Sequence, residues 1–360
     1  MAAVVPLAWH SGARATLAAL RARGAHALLL HGPAGVGKWD LATSFARDAL
    51  CEHAVAPARA CGVCASCVLV AAGNHPDLRI VVPDALAQRR PGGAQEDEEP
   101  PEAATEAGGA KGKPSREIKI DQVRELASLT GVSTHRGGVR VVVLGPTEAL
   151  NAPAANALLK GLEEPPPASL FLLVSDQIDR CLPTIVSRCA LVRVAVPPRA
   201  MALEWLQAQG VGADAGQRLT EAGGAPLAAL EPDAQALAPD LRSTLLDLLR
   251  RGAALAPADV ASDIPRTVPI GASVALFQRW VWDYFSYRLG GGLRYHPGDA
   301  ASFEALSRHW TLRAASAWIE ALHALRAAAD HPLNARVAIE GLLLRYIDSI
   351  ASGRERSEEG

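Results

Sequence analysis

The chain has 360 residues, room for two or three domains with ordinary hydrophobic cores and no need of disulfide staples. Hydrophobic residues make up 49% of it and aromatic ones only 4%, a balance of Ala, Leu and Val that favours helix. Lys plus Arg number 36 against 38 for Asp plus Glu, so a net charge of -2 excludes an overall basic field for nucleic acid, and no apolar run approaches the ~18 residues of a membrane span. Any DNA contact is expected to be local or shared with partners. The opening MAAVVPLAWH lacks a basic flank before an apolar stretch, and a soluble cytosolic protein is expected.

In chain order, Ala27-Leu28-Leu29-Leu30 reads as a buried strand running into a turn at Gly32 and Pro33. The following WDLATSFARDAL, Trp39 to Leu50, sets Leu41, Phe45 and Ala49 on one helical face. Residues 85–116 carry almost no apolar side chain larger than Ala and cannot offset their ordering entropy, so a disordered surface insertion is expected. Its acidic run Glu96-Asp97-Glu98-Glu99 reads as solvated loop before binding tail. A helix is expected from Ile120 to Leu129 through Val123, Leu126 and Ala127, then a second buried strand from Val139 to Leu144, broken by Gly145-Pro146. Asn151 with Pro153 reads as an N-cap opening a helix through Ala157, Leu158 and Leu162 that Pro165-Pro166-Pro167 stops. Leu170 to Ser175 gives a third strand. Strands alternating with helices imply a largely parallel sheet covered on both faces.

Beyond Pro197-Pro198 the pattern is helical. Asp240 is expected to cap a helix with Leu241, Leu245, Leu248 and Leu249 on one face, and Phe277, Trp280, Val281, Tyr284 and Phe285 repeat that spacing as core or as a subunit interface. The expected organisation is an α/β domain over 1–196, a small helical domain over 197–234, an all-α bundle over 235–350 and a disordered tail over 351–360.

Gly32-Pro33-Ala34-Gly35-Val36-Gly37-Lys38 matches the G-x-x-x-x-G-K part of a P-loop, between a strand and a helix. Such a loop aims backbone N–H groups and a helix N-terminus at phosphate oxygens, with the Lys ammonium over the outer phosphates. Gly32, Gly35, Gly37 and Lys38 are therefore candidate nucleotide-binding residues. The next position should offer a hydroxyl to Mg²⁺, yet it is Trp39, and the second strand ends Leu144-Gly145-Pro146 without the expected carboxylate. Glu148 reads as a surface residue, or as a metal ligand in a shifted register. Two losses at one metal site argue against Mg²⁺-dependent hydrolysis, whereas ATP or ADP binding stays open, the alternative being a loop kept for its turn alone.

Cys51-x9-Cys61-x2-Cys64-x2-Cys67 has the spacing of metal ligands. Four soft donors on short turns suit a closed structural Zn²⁺ site. An iron–sulfur centre is the competing reading, although the usual fourth Cys followed by Pro is missing. His75 in Asn74-His75-Pro76-Asp77 is a possible rival ligand or a turn former, and Cys181 and Cys189 read as ordinary residues.

The cysteine module after the P-loop helix, Asn74-His75-Pro76-Asp77, the run from Asn156 to Pro166 (NALLKGLEEPP) and Pro183-Thr184-Ile185-Val186-Ser187-Arg188-Cys189 together resemble the bacterial clamp-loader family of DNA polymerase III, over most of residues 20–195. The degenerate metal site resembles a non-hydrolysing member more than the hydrolysing gamma or tau neighbours. The resemblance implies an AAA+ P-loop module with a zinc module, a lid and a helical collar that joins gamma or tau and delta subunits in a five-membered ring. That ring would load the sliding clamp onto primed DNA. It also implies that Arg188 projects as an arginine finger into the ATP site of the adjacent subunit. Without the resemblance Arg188 reads as a surface salt bridge. At Gly223-Gly224-Ala225-Pro226, where active relatives carry a nucleotide-sensing Arg, none is present. The insertion at 85–116 is longer than the family needs, and beyond about residue 235 the likeness rests on helical character alone.

Overall fold

The computed structural model describes residues 7–53, 59–87, 115–128, 134–136, 138–230, 237–328 and 334–358. The chain divides into two compact units, Met1–Met201 and Ala202–Gly360.

The first unit begins with a 3-10 turn, Ala8–His10, and α1, Ser11–Ala22, neither of which the sequence pattern announces. It continues through β1 (Ala27–His31), α2 (Lys38–Leu50), α3 (Ala65–Ala72), β2 (Leu78–Val81), α4 (Asp84–Ala87), α5 (Ile120–Ser128), β3 (Arg140–Leu144), α6 (Ala152–Glu163), β4 (Ser169–Ser175), α7 (Pro183–Val186) and β5 (Ala190–Arg193). The five strands form one parallel sheet in the order β2-β3-β4-β1-β5. The expected strands are the three central ones, whose apolar side chains are buried on both faces. β2 (LRIV) and β5 (ALVR) are the edges. Each has four residues, an Arg and mostly part-exposed positions, too weak a pattern to stand out against a loop. Leu29, Val142, Phe171 and Leu173 on one sheet face pack under Val123 and Leu126 of α5 and Leu158 and Leu162 of α6. Asn151 caps α6 as expected, its side chain accepting from the Ala154 N–H at 2.9 Å.

Of the expected insertion at 85–116, residues 88–114 lie outside the described residues. Its first three residues belong to α4, and Ala85 N–H donates to the Ser115 carbonyl, so the two margins meet.

The second unit is helical. Its division from the first falls inside α8 (Arg199–Ala208), a few residues after the Pro197-Pro198 break. α8, α9 (Ala215–Glu221) and α10 (Pro226–Leu230) share a small core of Ala202, Leu206, Ala215, Leu219 and Ala229. A larger core joins α11 (Pro239–Arg251), α12 (Pro257–Asp263), α13 (Ile270–Arg288), α14 (Ala300–Ser307), α15 (Leu312–Ala328) and α16 (Ala335–Glu358). Phe277, Trp280, Val281 and Tyr284 of α13 are fully buried, which makes the expected stripe core. Two expectations change here. Ala238 is the N-cap residue of α11 and Pro239 its first helical residue, so Asp240 lies in the first turn, where its charge still suits the helix dipole. α16 runs on to Glu358, through most of the expected tail, because no proline interrupts it.

Small bundle and large bundle are fastened together. Asp283 of α13, fully buried, accepts the N–H groups of Arg294 (2.8 Å), Tyr295 (2.9 Å) and His296 (2.6 Å), fixing the loop after α13. From that loop Arg294 Nε donates to the Gly223 carbonyl at 2.7 Å, and the Tyr295 ring lies so close to Gly223 that a Cβ there would meet it at 2.4 Å. The glycine of the Gly-Gly-Ala-Pro segment is thus required by packing.

Candidate functional site: the phosphate loop and the cysteine cluster

The P-loop leaves the C-terminal end of β1, an interior strand of the sheet between β4 and β5, and its last glycine, Gly37, opens α2 with φ 84°, a left-handed conformation that favours glycine. The sequence residues Gly32, Gly35, Gly37 and Lys38 do form the strand-to-helix turn. Their contacts are turned inward. Lys38 is buried, and its Nζ is held by the Pro33 carbonyl at 2.5 Å and by Asp176 Oδ1 at 2.5 Å. Asp176 follows β4, the strand paired beside β1, so sheet register brings its carboxylate to the loop. The ammonium that a P-loop aims at phosphate is already neutralised inside the chain.

The N-terminal turn closes the same loop from outside. Trp9 Nε1 donates to the Val36 carbonyl at 2.9 Å and His10 Nε2 lies 2.9 Å from it, while Leu7 and His10 stand where a side chain at Gly37 would project. Because a carbonyl only accepts, His10 carries its proton on Nε2. Burial lowers the His10 pKa, with the Val36 carbonyl and Asp40 opposing.

At the metal end, Trp39 lies against the tip of β3. A Cβ on Gly145 would be 2.9 Å from Val174 Cβ and 3.3 Å from Trp39 Cζ3, so position 145 holds no carboxylate and has no space for one. Glu148, read as a surface residue or shifted metal ligand, is instead half-buried. Its Oε1 accepts the N–H groups of Asp176 at 2.9 Å and Gln177 at 3.1 Å, bracing the turn that carries Asp176. No sequence pattern singles out Asp176. Its role needs the β1–β4 register, which only the fold supplies.

Arg188, past α7, is exposed and its guanidinium is engaged within the chain. Nη2 meets Glu163 Oε1 at 2.5 Å and Nη1 donates to the Thr184 carbonyl at 3.0 Å. The surface salt bridge foreseen for it is present.

The fourth region is the cysteine cluster. Cys51 ends α2, Cys61 and Cys64 lie in the loop before α3, and Cys67 is in its first turn; the four Sγ atoms all lie within 4.8 Å of one another. Cys64 is the N-cap of α3. Backbone N–H groups converge on the sulfurs: Cys61 N–H on Cys51 Sγ at 3.3 Å, Cys64 N–H on Cys61 Sγ at 3.4 Å, and Cys67 N–H on Cys64 Sγ at 3.4 Å. Burial opposes charge on Cys64, yet the N–H groups of Cys67 and Glu52 and the neighbouring thiols outweigh it and bring its pKa down to about 6. Burial pushes the deeper Cys67 up to about 12. The cluster can hold a metal ion. His75 is not in it: its Nε2 pairs with Ser66 Oγ at 3.2 Å and its Nδ1 accepts the Asp77 N–H at 3.1 Å. Cys181 is buried, its thiol donating to Ser175 Oγ, and burial pushes the half-buried Cys189 up to about 12.

A P-loop strand between β4 and β5, with β4 separating it from β3, is the sheet order of AAA+ proteins, here with the P-loop lysine paired to Asp176 and a four-cysteine cluster beyond its helix. Residues 16–198 match the family described as DNA polymerase III, delta subunit, and the chain belongs to that family. It is 41% identical to DNA polymerase III subunit delta' of Pseudomonas aeruginosa over 213 residues, 58% of this chain and 56% of the relative. It is 34% identical to DNA polymerase III subunit delta' of Escherichia coli over 184 residues, 51% of this chain and 46% of that one. The chain thus spans about half the length of the curated relatives it matches. A solved gamma subunit-related protein of Thermotoga maritima aligns with 93% of this chain and 99% of its own at 15% identity and a TM-score of 0.38.

Proposed function

We propose that this chain is the delta'-type subunit of a bacterial clamp loader, a member that does not hydrolyse ATP and lends an arginine to a neighbour that does. The observation that carries this reading is the state of its own P-loop: Lys38 is held by Asp176 and Pro33, and Trp39 packs against Gly145 at the place of the missing carboxylate. A loop so occupied has neither a free ammonium for phosphate nor oxygen ligands for Mg²⁺. Arg188, exposed on the short turn between α7 and β5 and held by an exposed ion pair to Glu163 and a hydrogen bond to the Thr184 carbonyl, is available to an adjacent subunit. In this reading the partners are gamma or tau and delta subunits in a ring, and through the ring the sliding clamp and primed DNA, in the cytoplasm. Among the described residues no helix is long and apolar enough to cross a membrane.

The purified chain is expected to show no Mg²⁺-dependent ATP turnover. In a ring reconstituted with gamma or tau and delta subunits, Arg188→Ala should leave assembly intact and lower turnover at the one site it serves by on the order of 10³-fold. Turnover by the isolated chain that Lys38→Ala abolishes, or a ring indifferent to Arg188→Ala, would overturn the reading.

The cysteine cluster is read as a structural Zn²⁺ site. Thiolates about 2.3 Å from a tetrahedral zinc stand about 3.8 Å apart, and Cys51 and Cys64 Sγ are 3.9 Å apart. A multi-iron cluster, with several irons between the sulfurs, would hold them farther apart than they stand. With all four donors from protein the ion has no open position for chemistry. Metal analysis should return about one zinc per chain; iron with visible absorbance would refute the assignment.

A further inference from the structure

The Asn74-His75-Pro76-Asp77 segment contributes no thiolate, yet it closes a ring of hydrogen bonds against the cluster. The polarity of that ring is determined atom by atom. Asp77 N–H donates to His75 Nδ1 at 3.1 Å, so Nδ1 is bare and the proton of the neutral imidazole sits on Nε2, which donates to Ser66 Oγ at 3.2 Å. The Ser66 hydroxyl passes its own proton to Glu52 Oε1 at 2.8 Å. The same oxygen accepts Arg136 Nε and Nη2, both at 2.7 Å. The Arg136 N–H returns to Asp77 Oδ2 at 3.2 Å, while His135 N–H takes Oδ1 at 3.0 Å. Ser66, His75 and Asp77 are buried.

The ring's members sit at particular places. Glu52 follows Cys51 directly, and Ser66 lies between Cys64 and Cys67. Asp77 is fixed to the sheet, its carbonyl accepting Val141 N–H of β3 at 2.8 Å. The two segments that carry three of the four sulfurs are therefore each tied by one side chain to the sheet edge. We propose that His75, Ser66, Glu52, Arg136 and Asp77 are positioning residues of the metal site, an outer support that sets the spacing of Cys51 against the Cys64–Cys67 turn. This rests on the reading that the four cysteines hold an ion. Outer partners of this kind orient ligands without touching the metal, and their removal typically costs 10–100-fold in affinity.

The test uses the full chain and zinc alone, in competition with a chromophoric chelator, for wild type, His75→Ala, Arg136→Ala, the double variant and Ser66→Ala. Each single substitution is expected to weaken zinc about tenfold. Because the residues act as one closed circuit, the double variant should lose little more than either single one, not the product of the two losses. Cobalt(II) in place of zinc should give the same four-thiolate absorption spectrum in wild type and His75→Ala, since the ligands are unchanged. Ser66→Ala deletes one hydroxyl and guards against a variant that loses its fold, which far-ultraviolet circular dichroism would reveal. Wild-type affinity in the single variants, or losses that multiply in the double, overturn the ring alone. A wild-type chain that takes up no ion overturns the cysteine reading, and the ring's role with it.

Discussion

Lys38 shows how a residue can keep its place in a motif and change its employment. In a working P-loop its removal abolishes nucleotide chemistry. Here Lys38→Met strips the Pro33 carbonyl of its partner and releases Asp176 to solvent, so it is expected to cost about 1–3 kcal/mol in urea unfolding of the full chain and leave the turnover of a reconstituted ring unchanged. Arg188 is the converse. Its pair with Glu163 is exposed on both sides, an arrangement worth at most about 1 kcal/mol, and Glu163→Gln should shift the thermal midpoint by only a few degrees. A third residue makes the loop sensitive to acid. His10 is buried neutral with its pKa lowered by that burial, so below its ordinary 6.5 the unfolded chain takes up a proton that the folded one refuses. Stability is therefore full above pH 6.5 and falls as the pH drops from there toward the folded pKa. Melts between pH 7 and 5.5 should show the decline, and His10→Gln should lessen it, leaving the share of His31 and His75, whose pKa values burial also lowers. The glycines, Lys38 and the cysteines were legible in the sequence because their chemistry depends on local spacing. Asp176 and the true task of Glu148 were not, because both depend on which strand lies beside β1.

Among the elements, legibility followed burial. The central strands are apolar without interruption and announce themselves; β2 and β5, short edges carrying an arginine, do not, and α1 has no motif to mark it. The helical bundle was legible through its aromatic spacing, and the structure adds what spacing cannot, the partner of each ring. Trp318 of α15 packs on Tyr346 of α16 with centroids 4.9 Å apart and donates its Nε1 to the Leu342 carbonyl at 2.7 Å. Trp318→Ala should cost about 3–5 kcal/mol, mainly through the cavity, read by denaturant titration, whereas Trp318→Phe should recover most of the packing and lose only the hydrogen bond.

For the molecule as a whole, the sequence argument was strongest where the family match lies, residues 16–198, wholly within the first unit. The second unit was legible only as helices, since helical bundles of many kinds share that pattern. What could not be foreseen is that the small three-helix group and the larger bundle form one unit. Asp283, a single carboxylate in α13, fixes the loop whose Arg294 and Tyr295 grip Gly223. Through that joint a displacement of the three small helices is expected to reach the larger bundle, since Arg294 and Tyr295 belong to the loop that Asp283 fixes.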